Sequence, residues 1–154
     1  MILYHFTSLF HLPGIVAAGE INRGDVPICP DRSVKAPWFT DDPTQEGTVV
    51  PSNVCKAGAR ISVAFNDRDP KLHKWTDLIQ QWNIKAAFAE TLDLTGGGGS
   101  DRWYIYQFGV PSAMWTDVAI LNSDGGYTTV STRALHFTDV VPNFTMQVKQ
   151  RDIA

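Results

Sequence analysis

The sequence predicts a single α+β domain over residues 1–154, built of several short strands and two or three helices, the helices falling mainly in the first two-thirds. Three observations carry this expectation. Short runs of aromatic, β-branched and aliphatic residues recur along the chain, bounded by Gly, Pro, Asn or Asp. Two other stretches space their apolar residues at helical intervals. And 154 residues, 44% hydrophobic and 19% charged, suffice for one packed core and are too apolar for disorder.

The elements follow in order. Ile2 to Thr7 reads as a strand with His5 and Thr7 two apart and therefore on one face. Ser8 then caps a helical turn, Leu9, Leu12, Ile15 and Val16 recur at helical spacing, and Gly19 stops it. Residues 20–35, with Gly24, Pro27 and Pro30, read as a long exposed loop, a candidate lid or binding loop. Ala36 to Thr40 is a second strand, followed by Asp41-Asp42-Pro43 and a polar run to residue 58. Two such strands side by side put His5, Thr7 and Trp38 at the mouth of a cleft. Arg60 to Phe65 reads as a buried strand, and Asn66 to Pro70 as a turn. From Lys71 to Leu92 the stripe Leu72, Trp75, Leu78, Ile79, Trp82 predicts helix, broken near Asn83 and resumed from Ala86. Gly96 to Ser100 is a connector. Strands are expected at 103–108, 117–121 and 127–131, with a turn at 111–115, a strong turn at Asn122 to Gly126, and an edge pair at 133–137 and 144–149.

The totals exclude some function classes. A net charge of −3 argues against a general nucleic-acid coat, though not against a local basic patch. Cys29 and Cys55 have neither zinc spacing nor the makings of a disulfide framework. No apolar run approaches about 18 residues, so no membrane span or membrane partner is expected. The N-terminus lacks the basic and small-residue features of a signal peptide, so the expected setting is reducing and cytoplasmic.

The residues that carry chemistry are few. His5 and Thr7 can bind sugar hydroxyls, since imidazole and hydroxyl both donate and accept, or they can be core groups satisfied by the backbone. Trp38 and Phe39 can stack on a base or a nicotinamide ring, or simply pack. Asp41 and Asp42 beside Pro43 suit a solvated turn better than a paired-carboxylate site. His5, His11, His73 and His136 lack ligand spacing, so no metal is expected. Lys56, Arg60, Arg68, Lys71 and Lys74 form a locally basic segment, interrupted by Asp67 and Asp69. The glycine run is followed by no Lys-Ser/Thr and is not a phosphate loop.

Taken together, Leu3-Tyr4-His5-Phe6-Thr7, the run His11 to Gly19, and Trp38-Phe39-Thr40-Asp41-Asp42-Pro43 resemble the opening of the ADP-ribosyltransferase superfamily, in particular the DarT-like toxins and small phage or bacterial relatives. The likeness covers the first 45 residues and extends weakly to 60–65 and 104–115. It implies a split, two-sheet α+β core with short helices and a NAD cleft between the sheets. His5 would bond a ribose hydroxyl, Thr7 would support the adenosine side or the backbone turn, and Trp38 would stack on nicotinamide where the family has a tyrosine. Phe39, Thr40 and Arg60 complete the candidate nucleotide-binding set. The family's catalytic glutamate opens a late strand. The corresponding strand here, Trp103 to Gln107, has no acid, and Glu90, Asp101 and Gln107 are the candidates for its role. Three functions are thus expected in order: NAD-dependent transfer of ADP-ribose to a macromolecular acceptor; a binding or inhibitor module of the same fold, such as a phage anti-defence protein holding a nucleotide or a host protein; and an RNA 2′-phosphotransferase-like enzyme using Arg60 and its basic neighbours.

Overall fold

The computed structural model describes residues 1–44, 57–96 and 98–130. The expected pair at 133–137 and 144–149 and most of the polar run before residue 58 lie outside them. The described chain mixes α and β: three helices and one large antiparallel sheet.

The strands are β1 (Ile2–Thr7), β2 (Glu20–Ile21), β3 (Gly24–Cys29), β4 (Arg32–Ala36), β5 (Trp38–Thr40), β6 (Ala59–Ala64), β7 (Leu72–Lys74), β8 (Trp103–Tyr106), β9 (Val110–Pro111), β10 (Trp115–Leu121) and β11 (Tyr127–Val130). Seven form one sheet in the order β11-β10-β6-β1-β5-β8-β7, while β2 pairs with β9 and β3 with β4. The family likeness implies two sheets; among the described residues one large sheet stands beside two two-stranded pairs, and the large sheet is unevenly paired. β1 pairs with β6 at six positions from Ile2↔Ala64 to Thr7↔Ala59, and with β5 at Tyr4↔Thr40 alone. The β1–β5 seam is the thin line of the sheet.

Strand alternation divides the side chains between two faces. One face carries Leu3, Phe39, Ile61, Val63, Tyr106 and Val118, packed with Leu12 and Val16 of α1 (Leu12–Ala18). Gly19 ends α1 in the left-handed conformation at φ 65°, its N–H turned to the carbonyls of Ile15 and Val16, as expected of a terminating glycine. On the other face, β5 and β8 contribute Trp38, Trp103 and Ile105. They pack with Trp75 and Leu78 of α2 (Trp75–Gln81), Ala89 of α3 (Ala86–Thr95), and Val26, Ile28 and Ala36 of the β3–β4 hairpin.

Two expectations change. Residues 20–35 are not a loop but β2 and the β3–β4 hairpin. Pro27, Pro30 and Gly24 hid the alternation of Val26, Ile28, Val34 and Ala36. A register shift between Pro27 and Cys29 accommodates the missing proline donor in a two-stranded sheet. Leu72 matched the helical stripe by spacing, yet it belongs to β7 opposite Tyr106, and the helix begins at Trp75. The break at Asn83 is as expected: it holds φ 50°, a positive value that asparagine tolerates better than most residues.

Candidate functional site

The part of the second face formed by β1, β6, β10 and β11 gathers the most chemically distinctive cluster. Arg60 stands on β6 opposite Phe6 of β1 and Ala119 of β10, which turns its guanidinium towards the side that carries Tyr4 and Phe6. Its Cζ lies 5.2 Å from the Tyr4 ring centroid and 4.6 Å from that of Tyr127, so the cation rests between two electron-rich rings. Nη1 donates to the Pro43 carbonyl at 2.7 Å. Nη2 lies 3.7 Å from Oδ2 of Asp117, too long for a hydrogen bond and close enough for Coulombic attraction. Nε is buried and has no partner among the described residues. The Arg60 and Asp117 side chains are 17% and 21% exposed, so the pair is largely withdrawn from water. Phe6 packs beside Tyr127 at 5.9 Å, and the Tyr127 hydroxyl donates to the Ala57 carbonyl at 2.7 Å.

Asp117 reaches this face through a bulge. β10 pairs with β6 at Trp115↔Val63 and then at Asp117↔Ser62, so one residue is inserted between them. Without it Asp117 would stand opposite Ile61, in the apolar core. The insertion reverses the parity of all that follows, placing Asp117 beside Arg60 and Val118 in the core.

The expected cleft residues divide between the faces. His5 lies on the side of Phe39, 5.7 Å ring to ring, and partly buried. Its Nδ1–H donates across the seam to the Trp38 carbonyl at 2.9 Å, leaving Nε2 as the acceptor. Burial pushes the imidazole below its ordinary pKa, with this hydrogen bond opposing. Thr7 is buried on the same side. Trp38 and Thr40 point the other way: the Trp38 ring meets Trp75 at 5.1 Å and Trp103 at 5.6 Å, and the Thr40 hydroxyl accepts from the Asp42 N–H. Of the candidate binding set, then, Thr40 and Arg60 share the face of Tyr4, Trp38 is drawn into an aromatic core, and His5, Thr7 and Phe39 lie opposite.

The candidate acids are not brought together either. Glu90 is exposed on α3, and the exposed Asp101 and Gln107 lie before and after β8. Three strand spacings, about 14 Å, separate β8 from β6 and its Arg60. Asp41 and Asp42 both pair with Arg102, the second at 3.0 Å, clasping the end of β5 to the approach to β8. In the basic segment Lys71 sits over the Phe108 ring at 4.9 Å, away from Arg60.

Sequence reasoning missed Tyr4, Phe6, Asp117 and Tyr127. One signal was present: of the seven strands in the main sheet, only β10 carries a carboxylate. No protein family, curated protein or solved structure matches this chain.

Proposed function

We propose that this chain is an ADP-ribosyltransferase-like protein that binds NAD, or a related ADP-ribose-containing nucleotide, and transfers ADP-ribose to a macromolecular acceptor. The observation that carries the reading is Arg60 held between Tyr4 and Tyr127 with Asp117 beside it, all on one face. A dinucleotide offers anionic phosphates and planar rings. A guanidinium binds phosphate oxygens through a planar fork; in Arg60 Nε is buried and Nη1 is held by the Pro43 carbonyl, so Nη2, with only its 3.7 Å approach to Asp117, is the end offered to a phosphate. Phenol rings on either side offer stacking surfaces. The weakly paired β1–β5 seam is where a division of the sheet would fall, and His5 serves there by tying β1 to the Trp38 carbonyl.

A second reading, a module that binds the nucleotide without turning it over, is favoured by one observation. Glu90, Asp101 and Gln107 stand on α3 and at the two ends of β8, away from Arg60.

The test is calorimetry of the full chain with NAD, together with release of nicotinamide from labelled NAD in the presence of cell lysate, DNA or RNA. Wild type is expected to bind, and Arg60→Gln, with an unchanged circular dichroism spectrum, to bind at least ~10-fold more weakly, about 1.4 kcal/mol. Absence of NAD binding, or equal affinity in Arg60→Gln, refutes the proposal. Binding without release selects the second reading.

A further inference from the structure

We propose that Asp124 and Gly125 form a site of spontaneous modification, at which Asp124 isomerises to isoaspartate and Tyr127 is thereby released from Arg60. This modification needs no ligand and stands independently of the nucleotide reading. The turn that carries it requires the very pair of residues that makes it labile. Asn122 N–H donates to the Gly126 carbonyl at 2.7 Å and Gly125 N–H to the Asn122 carbonyl at 3.1 Å, which closes the β10–β11 hairpin. Gly125 holds φ 86°, a left-handed conformation that glycine adopts without steric cost. Asp124 stands before it, and its Oδ1 accepts from the Gly126 N–H at 2.9 Å, the local bond that favours aspartate in turns. A glycine that follows an aspartate also leaves its own amide nitrogen least shielded, since it has no side chain. Ser123 to Gly126 are all exposed, so water reaches the site.

The Gly125 nitrogen attacks Cγ of the protonated Asp124 carboxyl group. A C–N bond forms, the carboxyl hydroxyl leaves as water with the amide proton, and a succinimide ring results. Water then adds to either ring carbonyl and breaks one C–N bond. Opening at the main-chain carbonyl of Asp124 leaves the chain running through Cβ and Cγ, as isoaspartate. Composition is unchanged overall, and nothing but water takes part. The fold holds this reaction back: the attacking N–H is bonded to Asn122 and Oδ1 to Gly126, and both bonds must open before nitrogen and Cγ meet. The Thr128 hydroxyl, donating to Asn122 Oδ1 at 2.9 Å, helps to keep the turn closed. The consequence falls on Tyr127, which pairs with Leu121 directly after the turn. Its ring centroid lies 4.6 Å from Arg60 Cζ, and its hydroxyl donates to the Ala57 carbonyl. An atom added to the main chain inside the turn breaks the match in loop length that sets this register, so Tyr127 is the first strand residue displaced.

The experiment stores wild type, Asp124→Glu and Thr128→Val side by side at neutral pH and body temperature. The peptide carrying residue 124 is followed by mass spectrometry with electron-transfer fragmentation, which distinguishes isoaspartate from aspartate. Isoaspartate is expected to accumulate at Asp124 in wild type and several-fold faster in Thr128→Val. None is expected in Asp124→Glu, where the ring would be six-membered and closes far more slowly. Hydrogen exchange at the β10 and β11 amides is expected to rise in step in stored wild type and to stay constant in stored Asp124→Glu. No isoaspartate at Asp124, after storage long enough for the same peptide synthesised alone to convert, overturns the proposal. Equal rates in wild type and Thr128→Val overturn the restraint assigned to the turn. Isoaspartate without faster exchange in β11 overturns the release of Tyr127.

Discussion

Replacing Arg60 by Met separates what the guanidinium contributes to the fold from what it contributes to a ligand. Methionine keeps much of the stem that packs between β1 and β10 and removes only the polar head. The lost contacts are a charge-assisted hydrogen bond to the Pro43 carbonyl, worth about 1.5–3 kcal/mol, and two ring contacts of about 0.5–1 kcal/mol each. The 3.7 Å attraction to Asp117, between side chains 17% and 21% exposed, adds about 1 kcal/mol at most. Against these stands the relief of the unpartnered Nε, a buried donor that costs about 1–3 kcal/mol where it is. The expected net destabilisation centres on about 2 kcal/mol, with the terms spanning from near zero to about 5, read by urea unfolding with an unchanged slope and as a fall in Tm of about 4–8 °C. A Met variant as stable as wild type, or more stable, refutes the reasoning. It would mean that desolvation of the cation outweighs its contacts and that the cluster is kept for something other than stability.

Two further outcomes follow from the same structure. Ile61, fully buried on the interior strand β6 opposite His5 and Val118, should lose about 2–5 kcal/mol on truncation to Ala, measured as a lower urea midpoint. His5 has a folded-state pKa below its ordinary 6.5, so the unfolded chain takes up its proton first: stability is present above about pH 6.5 and falls as pH drops through the folded value. His5→Gln should flatten that part of the stability–pH curve, and an unchanged slope between wild type and variant would count against burial as the cause.

The elements that were legible in the sequence are those whose signals are local. Gly19 ends α1 because a residue without Cβ adopts φ 65° at no steric cost, and Asn83 breaks the second helical stretch for a related reason. The stripe Trp75, Leu78, Ile79 and Trp82 is a helical face wherever it is placed, and it packs as one. Where local signals conflict with pairing, pairing wins. Leu72 had helical spacing and went to an edge strand, and Val26, Ile28, Val34 and Ala36 were hidden by two prolines and a glycine.

The site is a different matter. The chain by itself determined that strands at residues 2–7, 36–40 and 60–65 carry His5, Thr7, Trp38, Thr40 and Arg60, because period-two alternation sorts the neighbours within one strand. It left open which side of one strand matches which side of the next, since that relation depends on hydrogen-bond register between distant segments. The single pair Tyr4↔Thr40 turns Trp38 and Thr40 away from His5 and Thr7. One extra residue before Asp117 brings that carboxylate to Arg60 in place of the core. A shift of one residue moves every following side chain to the opposite face of a sheet. So the inventory of reactive groups was written in the sequence, and only the tertiary structure decided which of them meet.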